Sequence, residues 1–269
     1  MERNILLTIE YDGTNFCGWQ KQPGRRSVQG EIERALGTVC GREVKLNGAS
    51  RTDAGVHAYG QRASFEGGFG IPTCRIAVAA NNILSGGKNS LGAAGDVRIT
   101  AAEEKPLGFH ARFDAKAKKY VYKIRNESEA DIFKRNYAYQ VVKPLNIGAM
   151  EDAAKLIVGT KDFKCFQAAG GDEKRTTVRT VYSLGITGVR DVQIEIVGDA
   201  FLYNMVRIIA GTLVEAGLGK IRPSAIASII ASVDRQNAGH TAPPQGLYLA
   251  EVYYDDLETG GFYGQAGLG

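Results

Sequence analysis

The stretch GASRTDAGVHAYGQRASF, residues 48–65, holds the side chains best suited to chemistry: Asp53 stands two residues after Arg51, with His57 four further on. A neighbouring guanidinium favours the charged form of a carboxylate, and an ionised carboxylate is what nucleophilic catalysis requires. Gly48 and Gly55 leave the backbone around it bare, open to close approach by a ligand. The plainer alternative is a turn residue, since Asp is common in glycine-rich loops, where its side chain bonds nearby amides. His57 has two readings as well: an orienting or substrate-contacting group, or a structural histidine with its bonds satisfied. No second acidic residue lies in the motif, so the paired carboxylates of a standard hydrolase are not evident.

The elements around the motif set where Asp53 must sit. NILLTIEYDG reads as a strand ended by Asp12-Gly13, and SVQGEIERALGTVCG as a helix capped by Ser27 with Val28, Ile32, Ala35, Leu36 and Val39 at helical spacing. VKLNGASRTDAGVHAYGQRASF then gives a short strand, a glycine-rich loop and a second strand, GQRASF, so Asp53 lies on a loop between strands. A helix over about residues 73–84, another glycine-rich loop and the strand VRITAAEEK complete a first half. The pattern then restarts: AKKYVYKIRN as a strand, NIGAMEDAAKLIVGTKDF as an amphipathic helix, and two or three strands within residues 177–206. Two helices, VRIIAGTLVEAGLGK and PSAIASIIASVDR, and a last strand, GLYLAEVYY, follow. The expected class is α+β: two α/β halves, each an antiparallel sheet with helices on one face, divided near Pro106 into domains 1–105 and 106–255, with 256–269 a flexible tail.

Composition limits the partners. The 269 residues are 44% hydrophobic and 23% charged, ordinary globular usage that supports real cores. No apolar run reaches membrane-spanning length and the first residues carry charge, which points to a cytoplasmic protein. Cys17, Cys40, Cys74 and Cys165 are far apart, with no metal-ligand spacing, and read as isolated thiols. The net charge of +4 decides little. Its clustering in KQPGRR (21–26), AKAKKYVYKIR (115–125) and DEKRTTVR (172–179) favours a polyanion, nucleic acid above membrane.

SRTDAGVHAYGQRASF resembles, nearly position by position, the signature of the tRNA pseudouridine synthase A family. EYDGTNFCGWQKQPGRRSVQGEIERAL, FHARFDAKAKKYVYKI, DFKCFQ, FLYNMVRIIAGTLVEAGLGK and APPQGLYLAEVYY are similar to further blocks of that family, in the same order, across most of residues 5–254. The resemblance implies the pseudouridine synthase fold, its two halves meeting at a central RNA-binding cleft. It also implies isomerisation of uridine at positions 38, 39 and 40 of the tRNA anticodon stem-loop. No cofactor and no metal enter that chemistry. Asp53 is then the essential carboxylate, attacking either the base or C1′ of the sugar. Arg51 fixes the aspartate and engages the RNA backbone. Tyr120 stacks on the target base and serves as a late base, and Arg207 pairs with the aspartate. Leu247 walls the pocket. An arginine in a run as apolar as NMVRIIAG is costly unless paired, so physics leans the same way. Phe109, His110, Arg112, Lys116, Lys118 and Lys119 are candidates for an RNA-facing rim beside His57. The family's members work as homodimers that jointly hold one tRNA.

FEGGFGIPTCR and LSGGKNSLGAAGD look longer and richer in glycine than the family's spacers, and would alter RNA contacts or the dimer surface rather than the chemistry. Two rivals remain. A non-catalytic RNA-binding protein of the same fold would bind RNA and modify nothing. An Asp/His hydrolase using Asp53 and His57 would depend strongly on the histidine.

Overall fold

The computed structural model describes residues 1–86, 95–170 and 176–255, which fold as two compact units: Met1–Ala115 with Tyr248–Tyr254, and Lys116–Leu247. The sequence placed the division near Pro106. Compactness carries the first unit on to Ala115, because residues 106–115 are bonded to its strands. Asn4 Nδ2 donates to the carbonyls of Pro106 and Phe109, and the Ala111 N–H donates to Ser64 Oγ.

The first unit opens with β1 (Glu2–Tyr11), whose Ile5, Leu6, Leu7 and Ile9 are all buried. Consecutive residues of a strand point to opposite faces, so β1 is covered on both sides over Ile5–Leu7. α1 (Val28–Cys40) starts where Ser27 Oγ accepts the Gly30 N–H and ends at Gly41 in the left-handed region. Its buried Val28, Ile32, Ala35 and Leu36 form the expected stripe. β2 (Asn47–Gly48) is short, and β3 (His57–Gly68) is longer than GQRASF alone predicted. α2 (Thr73–Leu84) matches its expected span, and β4 (Val97–Lys105) closes the run. β1 pairs antiparallel with both β3 and β4, while β2 lies on β3. α1 packs on α2, and α2 on β4.

The second unit begins with β5 (Ala117–Asn126), antiparallel to β9 with Tyr120 opposite Ile196. β6 (Tyr139–Val141) runs parallel to β5. α3 (Ile147–Lys155), capped by Asn146, is shorter than the helix expected over NIGAMEDAAKLIVGTKDF. The chain turns at Gly159, φ +109°, and GTKD becomes β7 (Gly159–Asp162), antiparallel to β8. The expected two or three strands after it are two, β8 (Val178–Thr187) and β9 (Asp191–Gly198). α4 (Met205–Gly217) and α5 (Ile226–Ser232) follow, with α4 in contact with α3 and β5. The closing strand β10 (Leu247–Tyr253) returns to the first unit, where Tyr248 and Leu249 pair with His57 and Ala58 of β3. That pairing is parallel, as is β5 with β6, so the expected antiparallel pairing dominates each half without being complete. No described helix is long and apolar enough to cross a membrane. The expected flexible tail, 256–269, lies outside the described residues, as do most of the second glycine-rich loop and residues 172–175 of the third basic cluster.

Candidate active site

Asp53 sits half-buried on the loop between β2 and β3, with Arg51 exposed beside it. The loop is held from four directions, all within the first unit. At its entry, the buried Gln61 amide spans Ser50: Nε2 donates to the Ser50 carbonyl at 2.7 Å, and Oε1 accepts the Ser50 N–H at 3.2 Å. Next, the Trp19 N–H donates to the Thr52 carbonyl at 3.0 Å. The Thr52 hydroxyl shares a 2.7 Å hydrogen bond with the Tyr11 phenol, both side chains being buried. Finally, the Val56 N–H donates to the Asp53 carbonyl at 3.1 Å, closing a turn through Gly55 at φ +77°. A backbone tied on both sides of one residue gives that residue's side chain a fixed origin, which a positioned nucleophile needs.

The segment after Asp12 forms the floor. Gly18 has φ +107°, and a Cβ there would stand 2.7 Å from the Thr52 carbonyl oxygen, so only glycine lets this strand of chain run against the Asp53 loop. Gly48 corrects an expectation. Its missing side chain makes room for the protein's own Trp19 indole, where the sequence suggested a ligand. Gly55 serves the turn. On β3, the register with β1 slips between Ile9 opposite Gln61 and Tyr11 opposite Ala58, an irregularity directly after the loop. Such bulges re-aim side chains and are over-represented beside active sites.

His57 stands behind the loop, 2% exposed. Its Nδ1 accepts the Gly13 N–H at 3.1 Å and lies 3.2 Å from Asp12 Oδ1, and its ring stacks on Tyr248 at 4.7 Å. A nitrogen accepting a backbone N–H has its lone pair in use, and a ring this covered is a poor contact for substrate. These are the surroundings of a histidine that joins the floor of the loop to the closing strand. They favour neither the Asp/His hydrolase nor a substrate-contacting His57.

Phe109, His110 and Arg112 also lie in the first unit. His110 Nδ1 accepts the Arg112 N–H at 3.1 Å, the His110 N–H donates to Asp114 Oδ2 at 2.7 Å, and the His110 ring lies 4.2 Å from that of Phe113. The Phe109 ring packs 5.1 Å from that of Tyr254, whose phenol donates to the Ala111 carbonyl. The result is a compact basic and aromatic turn, with Phe113 75% exposed at its tip.

Tyr120, Arg207 and Leu247 belong to the second unit. Tyr120, on β5, is buried, its ring edge-on to that of Phe201 at 5.3 Å. Lys119 beside it pairs with Glu195 at 2.7 Å, so this lysine of the expected rim is tied to its own sheet. Arg207 leaves the first turn of α4, where Nε donates to the Ala242 carbonyl at 2.8 Å and Nη1 to Asn204 Oδ1 at 2.7 Å. Asn204 holds a left-handed φ of 59°, rare outside glycine and most tolerated by Asn and Asp. Leu247 is buried at the start of β10, after the short turn Pro244–Gly246. The Tyr122 phenol donates to the Pro243 carbonyl at 2.7 Å in that approach, and burial raises its pKa well above the ordinary value, so it remains a donor.

Tyr11, Thr52, Gln61, Trp19 and Gly18 were not singled out in the sequence. The signal for Tyr11, Gly18 and Trp19 was the block EYDGTNFCGWQ, where they stand close together without forming a periodic pattern, and that for Thr52 and Gln61 was the Asp53 motif itself, SRTDAGVHAYGQRASF. Among the described residues no group of three or more His, Cys, Asp or Glu side chains gathers to hold a metal ion.

The family described as tRNA pseudouridine synthase matches this chain over residues 7–114 and 153–255. The chain is 46% identical over 253 residues to a tRNA pseudouridine synthase A of Caldicellulosiruptor bescii, covering 94% of this chain and all of that one. It is 45% identical over 255 residues to the protein of that name from Bacillus subtilis, covering 94% of this chain and 99% of that one. Among solved structures it is similar to the archaeal box H/ACA sRNP Nop10–Cbf5 complex, with TM-score 0.35 and 13% identity, covering 90% of this chain and 46% of that one. A likeness that distant bears no weight here.

Proposed function

The chain belongs to the family of tRNA pseudouridine synthases, and from that premise we propose that it acts on uridines 38, 39 and 40 of the anticodon arm, with Asp53 as nucleophile. The protein is an isomerase that forms pseudouridine in tRNA. The reaction breaks the bond from C1′ to N1 and joins C1′ to C5 of the same base. The hydrogen on C5 leaves as a proton and N1 gains one, so nothing is oxidised or reduced. A carboxylate that adds to C1′ or to the base holds one fragment while the base turns, and is released when the new bond has formed.

The observation that carries the reading is the mounting of the Asp53 loop. Tyr11, Trp19 and Gln61 each bond a residue within three positions of the carboxylate, while Arg51 beside it is exposed to meet a phosphate. A base inside a stem is out of reach of any carboxylate, so the target nucleotide must leave the stack, at a cost of a few kcal/mol. An aromatic platform lowers that cost, and we assign the role to Tyr120 on the family motif. Arg207 and Leu247 are assigned to the same reaction on the same ground, and Phe109, His110 and Arg112 to contacts with the RNA. His57 is assigned to support of the loop. We further propose a homodimer holding one tRNA.

The test is carbodiimide-labelled primer extension on an unmodified tRNA transcript, incubated with wild type or Asp53→Asn and with nothing else added. Stops at 38–40 that need the wild-type aspartate support the proposal. Stops elsewhere in the tRNA would refute the assigned position, and stops with both proteins would refute the nucleophile. Light scattering of the protein with and without tRNA separates dimer from monomer.

A further inference from the structure

The second unit carries a chain of polar side chains that leads to Arg207 and that the chemistry above otherwise does not use. α4 is buried along its length except at Arg207 and Glu215, eight residues apart. Both reach the same segment, residues 239–243. Arg207 Nε donates to the Ala242 carbonyl at 2.8 Å, and the Ala242 N–H donates back to the Arg207 carbonyl at 3.1 Å. Glu215 Oε1 accepts the His240 N–H at 3.1 Å and lies 2.8 Å from His240 Nδ1. Between them Thr212 Oγ1 accepts the Gly239 N–H at 2.9 Å. A side chain on Gly211 would collide with the His240 carbonyl, so the segment lies directly on the helix backbone. On the far side of the imidazole the Tyr139 hydroxyl stands 3.2 Å from Nε2.

The directions of these bonds agree. With its proton on Nδ1, a neutral His240 donates to Glu215 and accepts from Tyr139, so both ring nitrogens are satisfied by one tautomer. The Glu215 carboxyl is held below its ordinary pKa, the bonds from His240 outweighing the cost of its partial burial, and so remains an acceptor. Two residues beyond His240 the Ala242 carbonyl fixes Arg207 Nε, while Asn204 fixes Nη1. The plane of a guanidinium is set by two such acceptors, so a shift of residues 239–243 turns Arg207. The same segment runs on through Pro243, held by Tyr122, to Leu247.

We propose that Glu215 and His240, with Tyr139 behind the ring, are positioning residues for pseudouridine formation: by clamping residues 239–243 to α4 they fix the direction of the Arg207 guanidinium. This rests on the reading that Arg207 takes part in the reaction. Small misplacements of a reacting group lower the rate far more than they lower binding.

The test compares Glu215→Ala, Glu215→Gln, Tyr139→Phe and Arg207→Ala in the full chain. Tritium release from a tRNA transcript carrying 5-tritiated uridine is followed in single turnover at saturating enzyme, with tRNA affinity measured by filter binding. Glu215→Ala is expected to lose about tenfold in rate with affinity within about twofold, and Glu215→Gln, which keeps an acceptor oxygen, to recover to within about threefold. Tyr139→Phe, which removes one hydroxyl, is expected to lose about threefold and decides the matter should Glu215→Ala not fold. An unchanged rate in Glu215→Ala, or in Tyr139→Phe where that variant decides, beside an Arg207→Ala that is at least a hundredfold slower, overturns the clamp alone. An Arg207→Ala at the wild-type rate overturns the reading beneath it, and the clamp with it.

Discussion

The Tyr11–Thr52 hydrogen bond gives the sharpest test of how the Asp53 loop is held. The two hydroxyls meet at 2.7 Å, with Tyr11 5% and Thr52 7% exposed, so water is a poor substitute for either partner. Tyr11→Phe leaves the Thr52 hydroxyl without this partner, and Thr52→Val does the same to the phenol. Each single substitution should cost about 1–3 kcal/mol, the penalty for a buried polar group deprived of its bond. In the double variant both groups are gone and two apolar shapes of similar size face each other, which can be nearly neutral. The coupling should therefore be about 2–3 kcal/mol, with the double variant more stable than the sum of the singles implies. Urea unfolding read by fluorescence suits the measurement, because Trp19 is the only tryptophan and its ring lies 6.3 Å from that of Tyr11. The same variants should isomerise tRNA more slowly, since Thr52 is bonded to Asp53 in the chain. Strictly additive stabilities, or singles with the wild-type rate, would refute the claim that this contact holds the Asp53 loop.

Further outcomes follow from the same geometry. Gly18→Ala should destabilise the first unit by about 1–3 kcal/mol, because φ is +107° there and the new methyl meets the Thr52 carbonyl at 2.7 Å; thermal melting checks it. His57→Ala should lower the melting temperature through the lost stack on Tyr248 while leaving the pH–rate profile of the remaining activity in shape, whereas a changed profile would revive an acid–base role. Cys165 should resist thiol reagents in the folded protein while exposed Cys74 reacts, a difference that labelling and mass spectrometry resolve. Burial pushes the Cys165 thiol up to about 11 from an ordinary 9.0. A raised folded pKa gives stability that is full below pH 9 and lost as pH rises through 11, and Cys165→Ala should remove that part of the alkaline loss.

Local signals made much of the fold legible. Ser27 caps α1 as its position before an amphipathic run implied, and α2 spans the residues its apolar spacing marked. Where the sequence misled, a long-range pairing decided. GTKD read as the end of a helix, yet Gly159 breaks the chain's direction and the four residues find β8. β3 begins at His57, three residues earlier than its alternation suggested, because the closing strand lies parallel to it there. Residue types alone left Asp53 open between a nucleophile and a turn residue, and it was the family resemblance that implied the nucleophile. The mounting of the Asp53 loop was not legible, because Tyr11 and Thr52 are 41 positions apart, and the same holds in the second unit for Glu215 and His240, 25 apart, distances over which no periodicity or turn rule acts. Gly48 shows the same limit, since a bare backbone reads alike whether a ligand or a tryptophan fills the space.

The most direct test of the central claim is tritium release from 5-tritiated uridine in an unmodified tRNA transcript, comparing wild type with Asp53→Asn, Asp53→Glu and Arg51→Lys at matched tRNA binding. A carboxylate nucleophile predicts release with wild type, none with Asp53→Asn despite retained binding, a slow rate with Asp53→Glu, whose longer arm misplaces the same group, and a reduced rate with Arg51→Lys. Release by Asp53→Asn at a rate near that of wild type would contradict it.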